Sequence, residues 1–268
     1  FIVPGADEKK QDEPAKIKVI GVGGGGGNAV NHMYHQGIGG VSFVLCNTDA
    51  QALRNSPVPV KVQLGAKGEG AGNIPEVAKK LAEESASEVE ALFDDNTRMA
   101  FITAGMGGGT GTGAAPVVAR IAKEKGVLTV GIVTIPFLFE GEPKILQAFA
   151  GVEEMRKHVD ALLVINNERL CKIYPDLSWT TAFAKADDSL SNAARSIAEL
   201  VSKDGKINLD FADVRTTLKD GGAAVISTGS GEGEHRMSRA IQNALTSPLL
   251  KESDIYGAER VLFNLYFS

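Results

Sequence analysis

The sequence predicts an α/β protein: a Rossmann-like parallel sheet, then a long central helix and an incomplete second α+β domain. Three observations lead to this fold class. Apolar runs that read as strands alternate with helix-like stretches over residues 17–166. These runs are mostly apolar without regular polar alternation, which is typical of parallel strands covered on both faces. Residues 179–203 contain neither glycine nor proline and therefore indicate one long helix.

The predicted elements follow in a regular order. Five buried strands are expected at "IKVIGV" (17–22), "VSFVLCNTD" (41–49), "RMAFITAG" (98–105), "VLTVGIVTIP" (127–136) and "DALLVIN" (160–166). Helices between them are expected in 23–37, 74–95, 114–126 and 142–159. Beyond the long helix we expect a short helix in 204–222, a strand and a helix in 223–245, and a last strand at 260–268. That strand would leave an uncovered apolar edge, so we expect the chain to be a fragment of a longer protein.

Composition narrows the classes of partner. The chain has 268 residues, a formal net charge of −5 and no basic stripe interleaved with aromatic residues, so no nucleic-acid partner is expected. Cys46 and Cys171 are far apart in sequence, which fits a reducing, cytoplasmic setting. No apolar run reaches the roughly 18 residues of a membrane span, so we expect a soluble protein without direct membrane insertion. His32 and His35 have no companion ligands nearby, and no metal site is expected from them.

Two glycine runs are the clearest functional signal. Five consecutive glycines follow the first strand, and "AGMGGGTGTGAAP" (104–116) follows the third. Both runs join the end of a strand to the start of a helix, where backbone amides and the helix dipole favour an anion. Two such loops at equivalent strand ends predict a phosphate-binding site, although each run alone could be a flexible turn.

The identity of the phosphate ligand is less constrained by the residues themselves. Gly21-x-Gly23-x-x-Gly26, with Asp49 after the second strand, satisfies the dinucleotide fingerprint. The match is weak because five consecutive glycines satisfy many patterns, and a nicotinamide enzyme would leave the second run unexplained. Neither run contains Gly-Lys-Ser/Thr, so amides, hydroxyls and Mg²⁺ are expected to meet the phosphate charge.

Several motifs together resemble the FtsZ family of bacterial cell-division proteins, which are relatives of tubulin. They are "GVGGGGGNAVN" (21–31), "NTD" (47–49), "GGGTGTG" (107–113), "PFLFEG" (136–141) and "NLDFADV" (208–214). The resemblance extends from residue 17 to residue 268. It implies GTP or GDP as the ligand, with Mg²⁺ accompanying the nucleotide. It also implies a GTP-binding domain at 17–178, a central helix at 179–204 and a truncated C-terminal GTPase-activating domain at 205–268. Residues 1–16 are charged and contain two prolines, so they are expected to form a flexible segment.

The resemblance further implies which residues bind the nucleotide. The phosphates and the region near the base would be met by Gly24, Gly25, Gly26, Gly27, Asn28, Gly107, Gly108, Gly109, Thr110 and Gly111. Ala71 and Gly72 would approach the γ-phosphate, Glu140 the ribose, and Asn167 the base region. Phe183 would stack on guanine, whose edge Asp187 would recognise. Lys144 stands where many relatives carry arginine, so its sugar or phosphate contact lacks the planar guanidinium fork.

Hydrolysis is expected to need two copies of the chain. The residues alone leave Asp210 and Asp213 open to an ordinary role as first-turn helix acids. The resemblance instead implies that Asn208, Asp210 and Asp213 enter the nucleotide pocket of the next subunit and polarise the attacking water. It implies a head-to-tail polymer at the mid-cell division ring, with membrane tethers binding a C-terminal tail absent from this chain. An NAD-dependent oxidoreductase and a non-catalytic nucleotide-binding scaffold remain as alternatives.

Overall fold

The computed structural model describes residues 16–174, 176, 178–202, 211–246 and 257–263. The expected flexible segment at 1–16 therefore lies outside the described residues apart from its last position. The same holds for the loop at 203–210, which contains Asn208 and Asp210, and for the second half of the expected last strand.

A seven-stranded sheet forms the centre of the molecule. Its strands are β1 (Lys16–Val22), β2 (Val41–Asn47), β3 (Val60–Gln63), β4 (Thr97–Gly105), β5 (Leu128–Ile135), β6 (Ala161–Asn166) and β7 (Gly222–Ala224). All neighbours pair in parallel, in the order β3-β2-β1-β4-β5-β6-β7. The expected parallel α/β fold is thus confirmed, and the five predicted strands correspond to β1, β2, β4, β5 and β6.

Helices connect and cover the strands. They are α1 (Gly23–His35), α2 (Ala50–Arg54), α3 (Pro75–Glu84), α4 (Ala86–Ala91), α5 (Gly109–Glu124), α6 (Glu142–Arg156), α7 (Glu168–Ile173), α8 (Trp179–Ser202), α9 (Phe211–Leu218) and α10 (Arg236–Leu245). A short 3-10 turn at Leu138–Glu140 precedes α6. Within the described part of the chain, no helix is both long enough and apolar enough to cross a membrane.

Two apolar layers cover the faces of the sheet. Ile17 and Val19 of β1 belong to a cluster that includes buried residues of α1, α8 and α9. Ile20 and Val22 point to the other face, into a cluster with α3, α4, α5 and α6. All eight residues of β5 are buried. This two-sided burial explains why the strands are apolar at most positions instead of alternating between apolar and polar residues.

Four local features differ from the sequence-based expectations. The helix expected over 74–95 is divided into α3 and α4 at Ser85, whose buried hydroxyl accepts a hydrogen bond from the Gly65 amide at 2.9 Å. The short elements α2 and β3 were not predicted. The strand expected from residue 223 is only the three-residue β7, which pairs with β6 at the edge of the main sheet. Residues 260–263, the described part of the expected last strand, do not form a strand.

Candidate nucleotide-binding site

The two glycine runs meet where the strand order of the sheet reverses. From β1 the chain proceeds outward to β2 and β3 on one side, whereas β4 lies on the other side of β1. In open parallel sheets this switch point leaves a crevice beyond the carboxyl ends of the strands, which is the usual ligand site. The first glycine run follows β1 into α1, and the second follows β4 into α5. The fold therefore brings both predicted phosphate loops to one crevice.

Some of these glycines are required by packing within the protein. A Cβ at Gly26 would lie 2.2 Å from the carbonyl oxygen of Thr103, and one at Gly111 would lie 2.3 Å from that of Gly105. Gly23 combines a φ of +73° with a position 2.8 Å from the amide nitrogen of Gly111. These contacts seat the start of α1 directly against β4 and α5, so the two runs form a single surface.

Other glycines face open space instead. A Cβ at Gly24 would meet nothing within 4 Å, one at Gly27 would only touch Leu45 at 4.0 Å, and one at Gly108 would lie 3.7 Å from the nearest atom. Gly108 also has an extended backbone, with φ −95° and ψ −178°, that any residue could adopt. The absence of side chains at these three positions therefore leaves room that the protein itself does not use. This room fits a ligand that approaches the backbone closely.

The backbone amides of the second glycine run differ in whether they already donate a hydrogen bond within the protein. The Gly107 amide donates to the buried Oγ1 of Thr112 at 2.9 Å, so it is already used within the protein. The first-turn amides of α5 have no partner within the helix and face its N-terminal end. Thr110 contributes a hydroxyl there, and its Oγ1 lies 2.7 Å from Oγ1 of Thr48 in the loop after β2. That hydrogen bond gives a structural role to the central residue of the "NTD" motif.

A third loop completes the phosphate end. Gly70, Gly72 and Asn73 have φ values of +86°, +57° and +62°, so left-handed backbone is concentrated here. A Cβ at Gly109 would lie 2.9 Å from the amide nitrogen of Ile74 and 3.1 Å from Cβ of Ala71. The predicted γ-phosphate residues Ala71 and Gly72 thus lie in a loop whose backbone packs directly on the second glycine run.

An aromatic cluster lies just after the carboxyl end of β5, the strand next to β4. Buried Phe137 stacks on Phe139 at 4.8 Å between ring centroids and contacts Phe183 edge-on at 5.4 Å. The Phe183 ring is 43% exposed, so it offers a face for stacking. Asn167 lies at the start of α7 and is 5% exposed, and its Oδ1 has no hydrogen-bond partner among the described residues. A buried, unsatisfied acceptor of this kind fits a ligand that donates a hydrogen bond.

Asp187 is held beside this cluster by α8. Its neighbour Ala186 packs with Phe137, Leu170 and Ala182 in one apolar group. Burial, and to a lesser extent the charge of Asp188, raises the pKa of the Asp187 carboxyl to about 6. The carboxylate of Asp188 is instead stabilised by His32 of α1 at 2.9 Å and Lys185 at 3.5 Å. Of the two adjacent carboxylates, Asp187 is therefore the one that lacks a cationic partner in these contacts.

Glu140 and Lys144 are linked to each other. Oε1 of Glu140 accepts a hydrogen bond from the Phe137 amide at 3.0 Å, and Oε2 lies 3.3 Å from Nζ of Lys144. The carboxylate therefore stabilises the turn that positions the aromatic cluster. Each oxygen retains a further lone pair for a ligand hydroxyl. The predicted sugar contact of Glu140 is compatible with this arrangement.

Of the predicted catalytic residues, only Asp213 lies within the described part of the chain. It belongs to the first turn of α9, which begins at Phe211. The Phe211 ring is covered by the guanidinium of Arg98, 4.6 Å from the ring centroid. Arg98 is the second residue of β4, whereas the second glycine run follows the last residue of that strand. Asp213 and the phosphate loops thus lie at opposite ends of the sheet.

Cavity size alone would not have located this site. The crevice at the first glycine run encloses only about 40 Å³. A larger cavity of about 560 Å³ lies between β6, α8 and the segment after β7, lined by residues such as Leu163, Asn192 and Ile226. The glycine crevice is favoured because it combines open backbone with the N-termini of two helices.

Sequence reasoning missed two residues of the site. Thr48 was quoted as part of a motif without a role, and Gln147 was not singled out. The Nε2 atom of Gln147 donates to the carbonyl oxygens of Gly107 and Gly108 at 3.0 and 3.1 Å. Nothing in a helical pattern shows that a polar side chain of α6 reaches a loop forty positions earlier, so no sequence signal was available.

Fold and site together define the class: a parallel α/β protein with dinucleotide-type strand order and a glycine-lined crevice at its switch point. Residues 16–175 match the model of the Tubulin/FtsZ family, GTPase domain, and residues 222–267 match that of the FtsZ family, C-terminal domain. The chain belongs to the tubulin/FtsZ family. The family expected from the sequence motifs is thereby confirmed.

Individual relatives agree with this assignment. Cell division protein FtsZ of Porphyromonas gingivalis is 65% identical over 94% of this chain, which spans 56% of that protein. FtsZ of Aquifex aeolicus is 48% identical over 95% of the chain and 70% of its own length. A solved structure described as an empty FtsZ dimer from M. jannaschii matches with a TM-score of 0.84 at 45% identity, covering 90% of this chain and 71% of that one.

None of these comparisons favours a nicotinamide enzyme. The structure also gives Asp49 another role, because its Oδ1 caps α2 by accepting hydrogen bonds from the amides of Gln51 and Ala52 at 2.8 and 3.2 Å. The fingerprint residue expected to contact a ribose is thus explained by local structure.

Proposed function

We propose that this chain binds GTP and GDP, hydrolyses GTP, and assembles head to tail into filaments of the bacterial division ring, with each active site completed by the neighbouring subunit. The proposal draws on family membership and on the crevice described above. The glycine-run amides and Thr110 would hold the phosphates, and Glu140 and Lys144 the sugar. Phe183, Asn167 and Asp187 would receive the guanine.

The observation that carries the shared-site mechanism is the separation along β4. The phosphate loops follow Gly105 at the carboxyl end, and Arg98 holds Phe211 near the amino end. A parallel strand rises about 3.3 Å per residue, so the strand separates the two regions by roughly 25 Å. Asp213 lies two residues after Phe211 and cannot reach nucleotide bound by its own chain. A head-to-tail neighbour would present it to the open crevice, in an arrangement that extends into a filament.

The chemistry assigned to this chain is mostly electrostatic. Phosphoryl transfer to water is accelerated by positioning and by stabilising charge on the phosphate oxygens. Backbone amides, the Thr110 hydroxyl and the dipoles of α1 and α5 would supply this stabilisation. Mg²⁺ bound with the nucleotide would neutralise phosphate charge. No group of three candidate metal-ligating side chains occurs in the described ranges, so we expect the ion to be held chiefly through the phosphates. Asn208, Asp210 and Asp213 of the neighbour would orient and polarise the water.

The proposed organisation follows from these roles. Residues 17–178 would form the GTP-binding domain, 179–204 the central helix, and 205–268 part of the domain that activates hydrolysis in the next subunit. Membrane tethers would bind a tail outside this chain and recruit the filament to mid-cell, without insertion of this protein into the membrane.

The test mixes two inactive variants of the full-length protein. Gly108→Val places a side chain in the open phosphate space without a clash inside the protein, so this variant should fold but not bind GTP. Asp210→Ala with Asp213→Ala keeps the pocket but removes the donated carboxylates. A mixed filament pairs an intact pocket with an intact loop, so GTP hydrolysis should reappear in proportion to mixed contacts.

Two measurements make the result decisive. Co-sedimentation must show that the variants assemble together, and nucleotide extracted from the wild-type protein should be guanine rather than nicotinamide by chromatography and ultraviolet spectrum. Co-assembly without recovered hydrolysis would refute the shared site. GTP binding without hydrolysis by the wild-type filament would instead favour the non-catalytic scaffold.

A further inference from the structure

Gln147 connects two loops that are distant in sequence. From the middle of α6, its carboxamide nitrogen donates to the carbonyl oxygens of Gly107 at 3.0 Å and Gly108 at 3.1 Å. The same nitrogen lies 3.4 Å from the carbonyl oxygen of Asn73. One NH₂ group has two hydrogens, so three acceptors share them. The longest contact, to Asn73, is the weakest of the three.

These bonds fix the direction in which the glycine loop presents its amides. In a planar trans peptide the C=O and the following N–H point in opposite directions. Because the carbonyls of Gly107 and Gly108 point at Gln147, the amides of Gly108 and Gly109 point away from it. The Gly107 amide is occupied by Thr112. The open side of the loop is therefore lined by the amides of Gly108 and Gly109, whose orientation depends on Gln147.

The contact with Asn73 places the second loop in the same arrangement. Gly109 already packs against the backbone of Ile74, where a Cβ would come within 2.9 Å of the amide nitrogen. Asn73 adopts φ +62°, a left-handed conformation that asparagine adopts more readily than most L-residues. The hydrogen bond from Gln147 tethers this position. It thereby ties the loop at 71–74 to the loop at 107–109 across their shared edge.

We propose that Gln147 is a positioning residue that aligns these two loops and so sets the preference of the site for a nucleoside triphosphate over a diphosphate. This inference rests on the proposed function, in which the loop at 107–109 holds the diphosphate and the loop at 71–73 approaches the γ-phosphate. Both nucleotides need the first loop, but only the triphosphate needs the two loops in register. Loss of Gln147 therefore weakens GTP more than GDP.

The experiment compares Gln147→Met with the wild-type full-length protein. Methionine has similar length and volume but donates no hydrogen bond, so the helix packing is retained. Calorimetric titration should show GTP weakened about tenfold and GDP about threefold, because each lost hydrogen bond corresponds to roughly a two- to tenfold change. Hydrogen exchange of the nucleotide-free protein should accelerate at residues 71–74 and 107–110 and remain unchanged in β1, β4 and β5.

Gln63→Met is the matched control. Gln63 also donates to two loop carbonyls, those of Gly65 at 2.8 Å and Ala66 at 3.2 Å, but it does not bridge the phosphate loops. The Gln63→Met variant should therefore have a ratio of GTP to GDP affinity within about twofold of the wild-type ratio. Equal losses of GTP and GDP in Gln147→Met, or unchanged exchange in both loops, would overturn the assignment. If the wild-type protein fails to bind GTP, the proposed function fails, and the exchange data still decide whether Gln147 holds the loops.

Discussion

Replacing Asp187 with asparagine should stabilise the nucleotide-free protein at neutral pH while weakening its hold on guanine. The pKa of this carboxyl rises from 3.8 to about 6, first because it is buried and second because Asp188 is charged. Ionisation of the Asp187 carboxyl is therefore less favourable in the folded state than in the unfolded chain. Between pH 4 and pH 6 the folded state binds more protons, so its stability falls as pH increases through this range.

The size of the effect follows from the shift. The pKa differs by about 2 units between the folded and unfolded states, and each unit corresponds to about 1.36 kcal/mol. The ionised carboxyl therefore lowers the free energy of unfolding by at most about 3 kcal/mol at pH 7. The carboxyl is only partly buried, so solvent screening reduces the expected gain for Asp187→Asn to about 1–3 kcal/mol. For a chain of this size that corresponds to an increase in Tm of roughly 2–8 °C. Near pH 4 the gain should almost vanish, because the wild-type carboxyl is then protonated in the folded state.

Urea unfolding of both proteins at pH 4.5, 6 and 7.5, without nucleotide, measures this directly. Asp176→Asn, at an exposed carboxylate before α8, is the control and should change stability by less than about 0.5 kcal/mol at every pH. A difference between Asp187→Asn and wild type that does not grow with pH, or a destabilised variant at pH 7.5, would refute the argument from burial. The same variant should bind GTP at least about tenfold more weakly, because one acceptor of the paired guanine donors becomes a donor.

Three further expectations follow from the site and the fold. GTP should bind at least about tenfold more tightly than ATP, and its affinity should decline below pH 6 in wild type but not in Asp187→Asn, as titrations at several pH values would show. Gly108→Val should lose nucleotide binding while its free energy of unfolding stays unchanged. Gly109→Val should have a lower free energy of unfolding, because its Cβ would meet the Ile74 amide. Equal stability of the two variants would contradict the distinction between open and packed glycines. Amides of α10, which buries no side chain, should exchange faster than those of β5, which buries all eight, and uniform protection would contradict this.

The parts of the fold that the sequence predicts are those in which one local pattern determines the structure. The strand β5 is predictable from the sequence because both of its faces are covered and all of its residues are apolar apart from Thr129 and Thr134. The division of one expected helix at Ser85 could not, because it depends on a hydrogen bond from Gly65, twenty positions away. The three-residue β7 is also unpredictable from local sequence, because a short apolar run does not specify that it pairs with β6.

The candidate site also has features that the sequence predicts and features that it does not. The number of glycines alone does not show which of them face open space. The sequence pattern predicts that both glycine runs join a strand to a helix, as they do in the structure, but it does not distinguish Gly108, which faces open space, from Gly111, whose Cβ would strike the carbonyl of Gly105. Loss of binding after a glycine substitution is therefore informative only at the open positions. The side chains that orient the loop, Gln147 above all, carry no local signature because their partners lie on other elements.

In the proposed site, nucleotide binding is also linked to the folding stability of the protein. In the proposed function the amides of Gly108 and Gly109 and the carboxylate of Asp187 face the nucleotide, and burial already disfavours the charged form of Asp187 in the nucleotide-free protein. Guanine donors and phosphate oxygens would complement these groups with opposite polarity, so bound nucleotide would offset the cost of burying the carboxylate. A ligand that binds only the folded state stabilises it in proportion to its affinity. Under the proposed function, the crevice that binds nucleotide would therefore also be the region in which nucleotide most strongly stabilises the fold.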